Sequence, residues 1–552
     1  MKRRNLIRTS MLFLIAGMLT ACGNDETDVL TKDGKVDVTK ALEFKVNFAD
    51  YNADEEVQAT RTGKPVNDTI SRQYVNLGNN LLTEVTVCRD TAKISPKAKT
   101  RALENGTYTM LAYQGGVYKG EVTGTITSGV FHHLGNKAID LNPGTYDFVL
   151  YNDKVTRNGN TLKVEEANVE TALIGLVNNY NVTATPAHQQ VTFQLKHCAM
   201  RVRLQWVSYL PIVNPQGYFW SNSPSASTTY DIATGTWAND APSSGVRLTY
   251  TGGGSNDANG VYKATSSYAY FLPKAAEWEM RLQTYGKTYN GVSFGGPSIA
   301  LPTLPKEANA SYLITYKLMF NFLYLMSDGT TGYLYETTYG GAPAATAKTP
   351  VGIVLSQSKR LAAGLYAGSG YWHDLPESAV KTNDGSYVRL QYEETFSDMQ
   401  GYHYTWERNY GADYFSGPSI KANNSYFPAF WYAGHYINEL SSKGIYLSGA
   451  LGGKKWHLPS NAEWVYLYTL GFGNKALFTW YARYPCYGAL LNEAFTQAGG
   501  TSLYGHNWSS TEIKNGYGNY SATEIVFSPT QIDWGYAFAN AGAFYSRPFV
   551  YY

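Results

Sequence analysis

Histidine is the side chain best suited to move a proton or hold a metal near neutral pH. The chain has nine: His132, His133, His188, His197, His373, His403, His435, His457 and His506. No two stand at the His-x3–5-His spacing with companion ligands that a zinc site needs. There is no His-Glu-x-x-His helix and no Gly-x-Ser-x-Gly elbow to present a nucleophile. No run of acids offers the clustered oxygens that calcium takes. Gly252-Gly253-Gly254 lacks the following helix that a phosphate-binding loop requires. A catalytic triad is assembled in space, so spacing tests only local motifs. Within that scope the expectation is no catalytic residue, no metal, no cofactor, and a protein that is not an enzyme.

The reactive cysteines are Cys22, Cys88, Cys198 and Cys486. Cys22 has a distinctive setting. Lys2, Arg3, Arg4 and Arg8 precede an apolar run over residues 11–21, with no acid between. The run is shorter than the roughly 20 residues of a membrane span. A basic start and a short apolar run make a secretion signal, which takes no part in the fold. It ends Leu19-Thr20-Ala21-Cys22, small residues before a cysteine. This resembles the bacterial lipobox. The resemblance implies cleavage before Cys22 and transfer of a diacylglyceryl group to its thiol, and two or three acyl chains anchor firmly. Residues 1–21 are then a signal peptide and residues 22–40 a lipid-anchored tether. The acids of Gly23-Asn24-Asp25-Glu26-Thr27-Asp28 make either a polar spacer or an export tag similar to that of Bacteroidetes surface lipoproteins. The expected location is the outer membrane, facing outward. With Cys22 acylated, the other three cysteines allow one disulfide at most and leave one thiol over. A Cys88–Cys198 pair is one option; burial as small apolar side chains is the favoured one.

The formal charge is +2, and the leader's four basic residues exceed it, so the mature chain stands at −2. No basic field remains to attract nucleic acid. Taking 21 residues from 552 leaves 531, room for three or four domains. Tyr (47) and Gly (53) are abundant, and charged residues are 16% against about 25% in ordinary globular proteins. That mixture suits strands, long loops and an extracellular protein. Residues 41–48 alternate apolar and polar with period two, as a half-buried strand does. Similar segments follow at 82–88, 108–113, 120–126, 144–151, 190–195 and 200–207, separated by Gly, Asn and Pro. Short strands with turn signals predict β-sandwiches. The expected division is one β-sandwich over 41–205 and a second β-domain over 206–322, closing on a strand that starts at Ser311.

Several of these features together resemble the fimbrillins, the type V pilus subunits of Bacteroidales. They are the lipobox, the first strand, the Thr60-Arg61 stretch after it, Gly144-Thr145-Tyr146-Asp147-Phe148-Val149, and Asn309-Ala310-Ser311-Tyr312-Leu313-Ile314-Thr315-Tyr316. Such subunits are cut after an arginine, which frees the first strand. The resemblance therefore implies processing at Arg61, with Arg101 as the rival site; an ordinary exposed loop arginine is the alternative. Loss of one strand leaves unpaired backbone groups beside an apolar groove, and a donor strand from another subunit can fill both.

Beyond residue 325 helical periodicity appears. Phe430, Ala433, Ile437 and Leu440 share one helical face, with Ser425 the predicted N-cap. Ser460 and Glu463 form a capping-box pattern; Trp464, Leu467 and Leu470 continue it, and Gly471 can stop it. A third helix is expected over 488–498. Trp456-x-Leu458-Pro459-Ser460-x-x-Glu463-Trp464, Trp508-Ser509-Ser510-Thr511-Glu512 and Arg547-Pro548 resemble the C-type-lectin-like domain of the Fibrobacter major paralogous family. The resemblance covers 323–552 and implies an α+β domain with helices beside twisted antiparallel strands. Formylglycine-generating enzymes share distant features, but their cysteine pair is not visible, since Cys486 stands alone. Trp456, Trp464 and Trp508 are expected in the core and not stacked on a ligand. Glu463 reads as a helix cap, Glu512 as a loop organiser, and Arg547 as a partner of a buried acid or of carbonyls. Calcium-dependent lectins of this fold carry Glu-Pro-Asn or Gln-Pro-Asp and Trp-Asn-Asp, none of which occurs here. An aromatic ligand surface drawn from the exposed members of Tyr517, Tyr520, Trp534, Tyr536 and Tyr545 near Asp533 stands beside the alternative of an ordinary Tyr-rich loop.

The combined expectation is a mainly β protein of two fimbrillin-like domains and a lectin-like head. Its function would be that of a pilus tip subunit that accepts a donor strand from other fimbrial subunits and adheres to a glycan or protein on a host or bacterial surface. The alternative is a surface lipoprotein that binds the same ligands without polymerising.

Overall fold

The structure is a computed structural model describing residues 29–52, 69–78, 81–90, 106–186, 188–221, 227–241, 246–273, 280–287, 293–295, 298–301, 304–305, 307–374, 392–407, 420–477, 483–514, 520–537 and 542–552. Strands dominate, and the molecule is mainly β.

Alternation decides the placement of the first long strand, Leu42–Phe48. Leu42, Phe44 and Val46 are buried and Glu43, Lys45 and Asn47 exposed, one face inward and one outward. It is one stave of a closed barrel. The order around the wall is Leu173–Val182, Gln189–His197, Leu42–Phe48, Val130–His133, Val117–Thr127, Tyr108–Gln114 and Gly144–Asn152. Phe44 meets Phe131, Phe148 and Phe193 inside, with ring centroids 5.7–6.4 Å apart. The wall is tight at Gly124, where a Cβ would lie 2.3 Å from the His132 carbonyl and 2.5 Å from the Phe131 ring.

The expected tether over 22–40 ends sooner in the structure. From residue 29 the chain packs on the barrel, and Val29, Val36 and Val38 are buried in its core. Val36–Asp37 pairs with Asp140–Leu141, and the Asp37 carboxylate accepts from Thr39 N at 3.0 Å. Three valines scattered through polar sequence have no period to announce them, yet each removes apolar surface from water.

The sheets also cross the expected 205/206 boundary. Thr69–Gly78 and Leu81–Arg89 belong to a seven-stranded sheet with Ser311–Phe320, Met200–Ser208, Tyr262–Ser266, Tyr250–Asn256 and Ala269–Phe271. Leu81–Arg89 runs antiparallel to Ser311–Phe320 along nine residue pairs, a partnership more than 200 residues apart that local alternation cannot reveal. This sheet faces a five-stranded one, Val213–Ser221, Val246–Leu248, Met280–Lys287, Ser293–Gly295 and Ile299–Ala300. The two enclose Trp206, Phe219, Leu282, Ile314 and Tyr316, a β-sandwich. A four-stranded sheet joins Val155–Asn158 and Thr161–Glu165 to Ser227–Asp231 and Thr236–Ala241, tying the first unit to the second.

Residues 323–552 form an α+β unit. One sheet is Thr331–Tyr333, Leu323–Met326, Pro350–Ser356, Leu361–Gly364 and Phe549–Tyr551; the other is Gly368–Gly370, Phe544–Ser546, Gly505–Lys514, Tyr520–Phe527, Gln531–Ala537 and Arg483–Pro485. Helices Asn461–Leu470 and Gly488–Thr496 lie where the periodicity puts them. The predicted helix before residue 440 is two, Pro428–Gly434 and Tyr436–Ser442, broken at His435 (φ −103°, ψ 24°). The break shifts the phase, so Tyr436 is buried and Ile437 is 42% exposed. The first of them starts after Phe427 with Pro428 in its first turn, not at Ser425, because proline suits a position whose N–H has no helical partner.

Candidate functional site

The resemblance-based reading turns on the first strand, and its seat is asymmetric. Leu42–Phe48 runs parallel to residues 189–195 over seven residue pairs. On its other side one pair, Lys45 with Val130, joins it to Val130–His133, with Val46 N donating to Gly129 O at 2.7 Å. One long ladder and one short contact hold the stave. Its departure would leave a slot lined by Phe131, Phe148 and Phe193. Filling that slot with Leu42, Phe44 and Val46 contributes about 1.5–3 kcal/mol per side chain.

The chain leaves the strand into a set of contacts that sequence reading did not find. Tyr51 stacks on His197 with centroids 4.3 Å apart and planes at 8°. The Arg201 guanidinium lies over its ring at 4.2 Å and over Tyr268 at 4.1 Å. Asn52, at φ 63°, donates to Asp90 O and Ser311 O, both at 3.0 Å, and accepts from Ser311 N at 2.8 Å. Asp90 in turn takes Arg203 at 2.6 Å and the Tyr268 hydroxyl at 2.7 Å. The only signal in the sequence is a Tyr-Asn pair just past a strand, which reads as a turn.

Cys22, Arg61, Arg101 and Tyr517 lie outside the described residues. Cys198 and Cys486 are buried and Cys88 half-buried, all as free thiols. Burial pushes the Cys486 thiol up to about 12 and raises Cys198 further still.

The signature residues of the C-terminal unit are interior. Trp456, Trp464 and Trp508 are almost wholly buried; the Trp508 indole donates to Gly370 O at 2.8 Å. Glu463 Oε2 accepts from Ser460 N at 2.7 Å and Ser460 Oγ at 3.0 Å, and Oε1 faces His457 Nε2 at 2.9 Å and the Tyr551 hydroxyl at 2.6 Å. Pro459 O takes Ser510 N at 2.8 Å, which joins the two motifs. Thr511 continues the seam, donating to Asp398 at 2.8 Å. Burial raises the Asp398 carboxyl above the ordinary range. Among the described residues Arg547 pairs with carbonyls and not with an acid: it donates to Gly364 O, Leu365 O, Thr501 O and Ser502 O at 2.8–3.1 Å. Its guanidinium sits 4.1 Å over Phe495, and burial pulls it down to about 10.

Of the candidate aromatic surface, Trp534, Tyr536 and Tyr545 have described side chains, and Trp534 is not an exposed member. Trp534 is fully buried against Phe396 and Tyr468, because alternation along Gln531–Ala537 turns it inward. Asp533 pairs with Arg483 at 3.4 Å. Tyr536 and Tyr545 are 40% and 43% exposed, on strands separated by Gly505–Lys514 and Tyr520–Phe527. Tyr520 opens the latter strand. Sequence reading also missed Lys421, a residue 1% exposed whose ammonium lies 4.4 Å from the Trp372 ring and 4.7 Å from Phe430. Burial draws its pKa down, and Glu512, itself 5% exposed, opposes that. Glu512 stands in the strand Gly505–Lys514 opposite Ala522, so it is a counter-charge held in a sheet and not the loop organiser its hydroxyl-rich neighbours suggest. Burial and then Lys421 pull His373 down to about 4. A separate cavity of about 280 Å³, lined by Asn256, Tyr262, Phe472, Cys486, Tyr487 and Pro529 among others, lies between the second unit and the C-terminal one.

No protein-family model and no curated protein matches the chain. Among solved structures, a fimbrial protein from Bacteroides ovatus is similar at 13% identity, covering 93% of this chain and 99% of its own, with a TM-score of 0.25. The fimbrial anchor protein Mfa2 from Porphyromonas gingivalis is similar at 12% identity over 47% of this chain and 82% of its own, with a TM-score of 0.21. At such TM-scores the likeness bears on neither fold nor function.

Proposed function

We propose that the chain is the accepting end subunit of a surface fibre assembled by strand exchange, with an adhesive C-type-lectin-like head. Lipid on Cys22 carries the precursor to the outer membrane. A cut after Arg61 detaches the leading segment, a strand from another subunit closes the barrel, and the C-terminal unit binds a glycan or protein on a host or bacterial surface. The observation that carries this reading is the seat of Leu42–Phe48, one long ladder over an aromatic slot with a single pair on its far side. Arg61 suits the reading better than Arg101. A cut after Arg61 frees the barrel stave with the short Val36–Asp37 strand before it, whereas a cut after Arg101 also severs Thr69–Gly78 and Leu81–Arg89, which belong to the second unit's sheet. Phe549–Tyr551 is hydrogen-bonded to Leu361–Gly364 inside the C-terminal unit, so it is not a spare strand to give. Neither the slot nor the head calls for turnover; loss of activity on a glycan or sulfated substrate when one carboxylate is removed would argue otherwise.

One observation favours a second reading, a lipoprotein that stays anchored and never polymerises. In the uncut chain the barrel is already closed by its own strand, and Val29, Val36 and Val38 are buried against it. Electrophoresis of surface-sheared material decides. A form beginning near residue 62 within detergent-stable oligomers supports the fibre subunit. A full-length lipidated form that remains with the cells overturns it.

A further inference from the structure

The ladder beside Gln189–His197 asks little of an occupant, since any strand with alternating apolar residues meets it. The contacts just past it ask more. Tyr51 fills a gap between the flat faces of His197 and Arg201, 4.3 Å and 4.2 Å away. Only another flat ring keeps both a stacked imidazole and a guanidinium above its face. Asn52 uses two amide donors and its carbonyl at once, on Asp90 O, Ser311 O and Ser311 N. A carboxylate cannot donate and a hydroxyl has one proton, so neither reproduces that pattern. Its φ of 63° is a conformation that asparagine tolerates better than most residues. The walls of this slot belong to strands that a cut after Arg61 leaves in place: Gln189–His197, Met200–Ser208, and the ends of Leu81–Arg89 and Ser311–Phe320.

We infer that this slot is a second, sequence-selective contact for the strand that replaces the leading segment. It recognises an aromatic residue followed by asparagine, placed beyond the buried apolar residues as Tyr51 and Asn52 are placed beyond Val46. The inference rests on the strand-exchange reading above. The occupant is an extended peptide running parallel to Gln189–His197, whose apolar alternation fills the barrel and whose Tyr-Asn pair fixes its register. A one-residue slip would carry the ring off the His197–Arg201 gap and turn the apolar side chains outward.

The test uses the full-length chain cut after Arg61 by limited proteolysis and a fluorescent peptide of this chain's own residues 40–53, with uptake followed by anisotropy. The parent peptide should enter. Phe44→Asp in the peptide should abolish uptake, while Tyr51→Ala or Asn52→Asp should weaken it at least about tenfold, and Tyr51→Phe should bind like the parent. Replacing Arg201→Ala in the protein should remove the preference of the parent over the Tyr51→Ala peptide; His197→Ala serves the same purpose should the Arg201 variant not fold. Equal uptake of the parent, Tyr51→Ala and Asn52→Asp peptides, with Phe44→Asp still excluded, overturns the slot and leaves strand exchange standing. Failure of the cut chain to take up the parent peptide overturns strand exchange, and the slot's role with it.

Discussion

Glu463 is a carboxylate shut away from water whose two oxygens meet four polar groups, on Ser460, His457 and Tyr551. Removing one side of such a cluster leaves the other buried and unmatched, which costs more than the bonds themselves contribute. Glu463→Ala is therefore expected to lower unfolding stability by about 3 kcal/mol, seen as a shifted urea midpoint at unchanged slope, and Glu463→Gln by less, since its carbonyl still accepts. His373 gives a pH-dependent counterpart. Its folded pKa is about 4 against an ordinary 6.5, through burial first and Lys421 second. Below pH 6.5 the unfolded chain takes up a proton that the folded chain refuses, so this group's contribution is whole above 6.5 and is lost as the pH falls toward 4. The melting temperature of the native protein should drop over that window more than that of His373→Phe; parallel curves would show that His373 is not the group responsible. The two sites differ in legibility. Ser460 and Glu463 stand three apart before an apolar run, so their pairing is local and written in the sequence. Trp372, Lys421 and Glu512 come from three distant segments, and nothing in the spacing of any one of them announces a cation held among rings. The burial of Trp534 is illegible for a related reason: an aromatic in a Tyr-rich strand reads equally well on either face until the strand's partners fix which face is inside.

At the scale of elements, the leading strand behaves as its alternation says, and the helices mostly as their caps say. Phe44 touches three other phenylalanines across the barrel, so Phe44→Ala is expected to cost about 3–5 kcal/mol, measured by denaturant titration. Glu43→Ala on the outward face should cost less than about 0.5 kcal/mol. A similar loss at both positions would mean that the strand is not a stave of a closed barrel. The proposed processing step also belongs to this scale. Arg61→Ala is expected to hold the surface protein at precursor length on gels of sheared material, while Arg101→Ala leaves the shortened form unchanged; the reverse pattern would make Arg101 the cut site. Element type was readable because period two and period 3.6 are local properties. Partnership was not. The pairing of Leu81–Arg89 with Ser311–Phe320 and the parallel pairing of Leu42–Phe48 with residues 189–195 join segments far apart in sequence. The helix break at His435 escaped for the opposite reason: the apolar period runs on through it from Phe430 to Leu440, and only the backbone angles at His435 expose the change of phase.

The whole molecule joins its second unit and its C-terminal unit through a common interior. Leu82, Leu210, Met319 and Phe322 lie in the same apolar cluster as Tyr324, Leu325, Phe495 and Trp534. Glu493, only 7% exposed, crosses the joint by accepting from Lys317 at 2.5 Å and from the Tyr209 hydroxyl at 2.9 Å. Gln497 adds a donor to Phe320 O at 3.1 Å. A C-terminal unit fastened this way passes any load placed on it into the β-sandwich and not into a loose linker, which is what the proposed adhesive role would require. It also means that residues 323–552 on their own would uncover the face that those four apolar side chains close. That fragment is expected to melt below the full chain and to bind a dye for exposed apolar surface. In the full chain, Glu493→Ala should lower the melting transition of the head, because the Lys317 ammonium and Tyr209 hydroxyl lose their shared acceptor within a largely dehydrated joint. Differential scanning calorimetry separates the cases. A fragment that melts at the temperature of the intact head, together with an unshifted Glu493→Ala transition, would make the joint a mere contact between independent bodies.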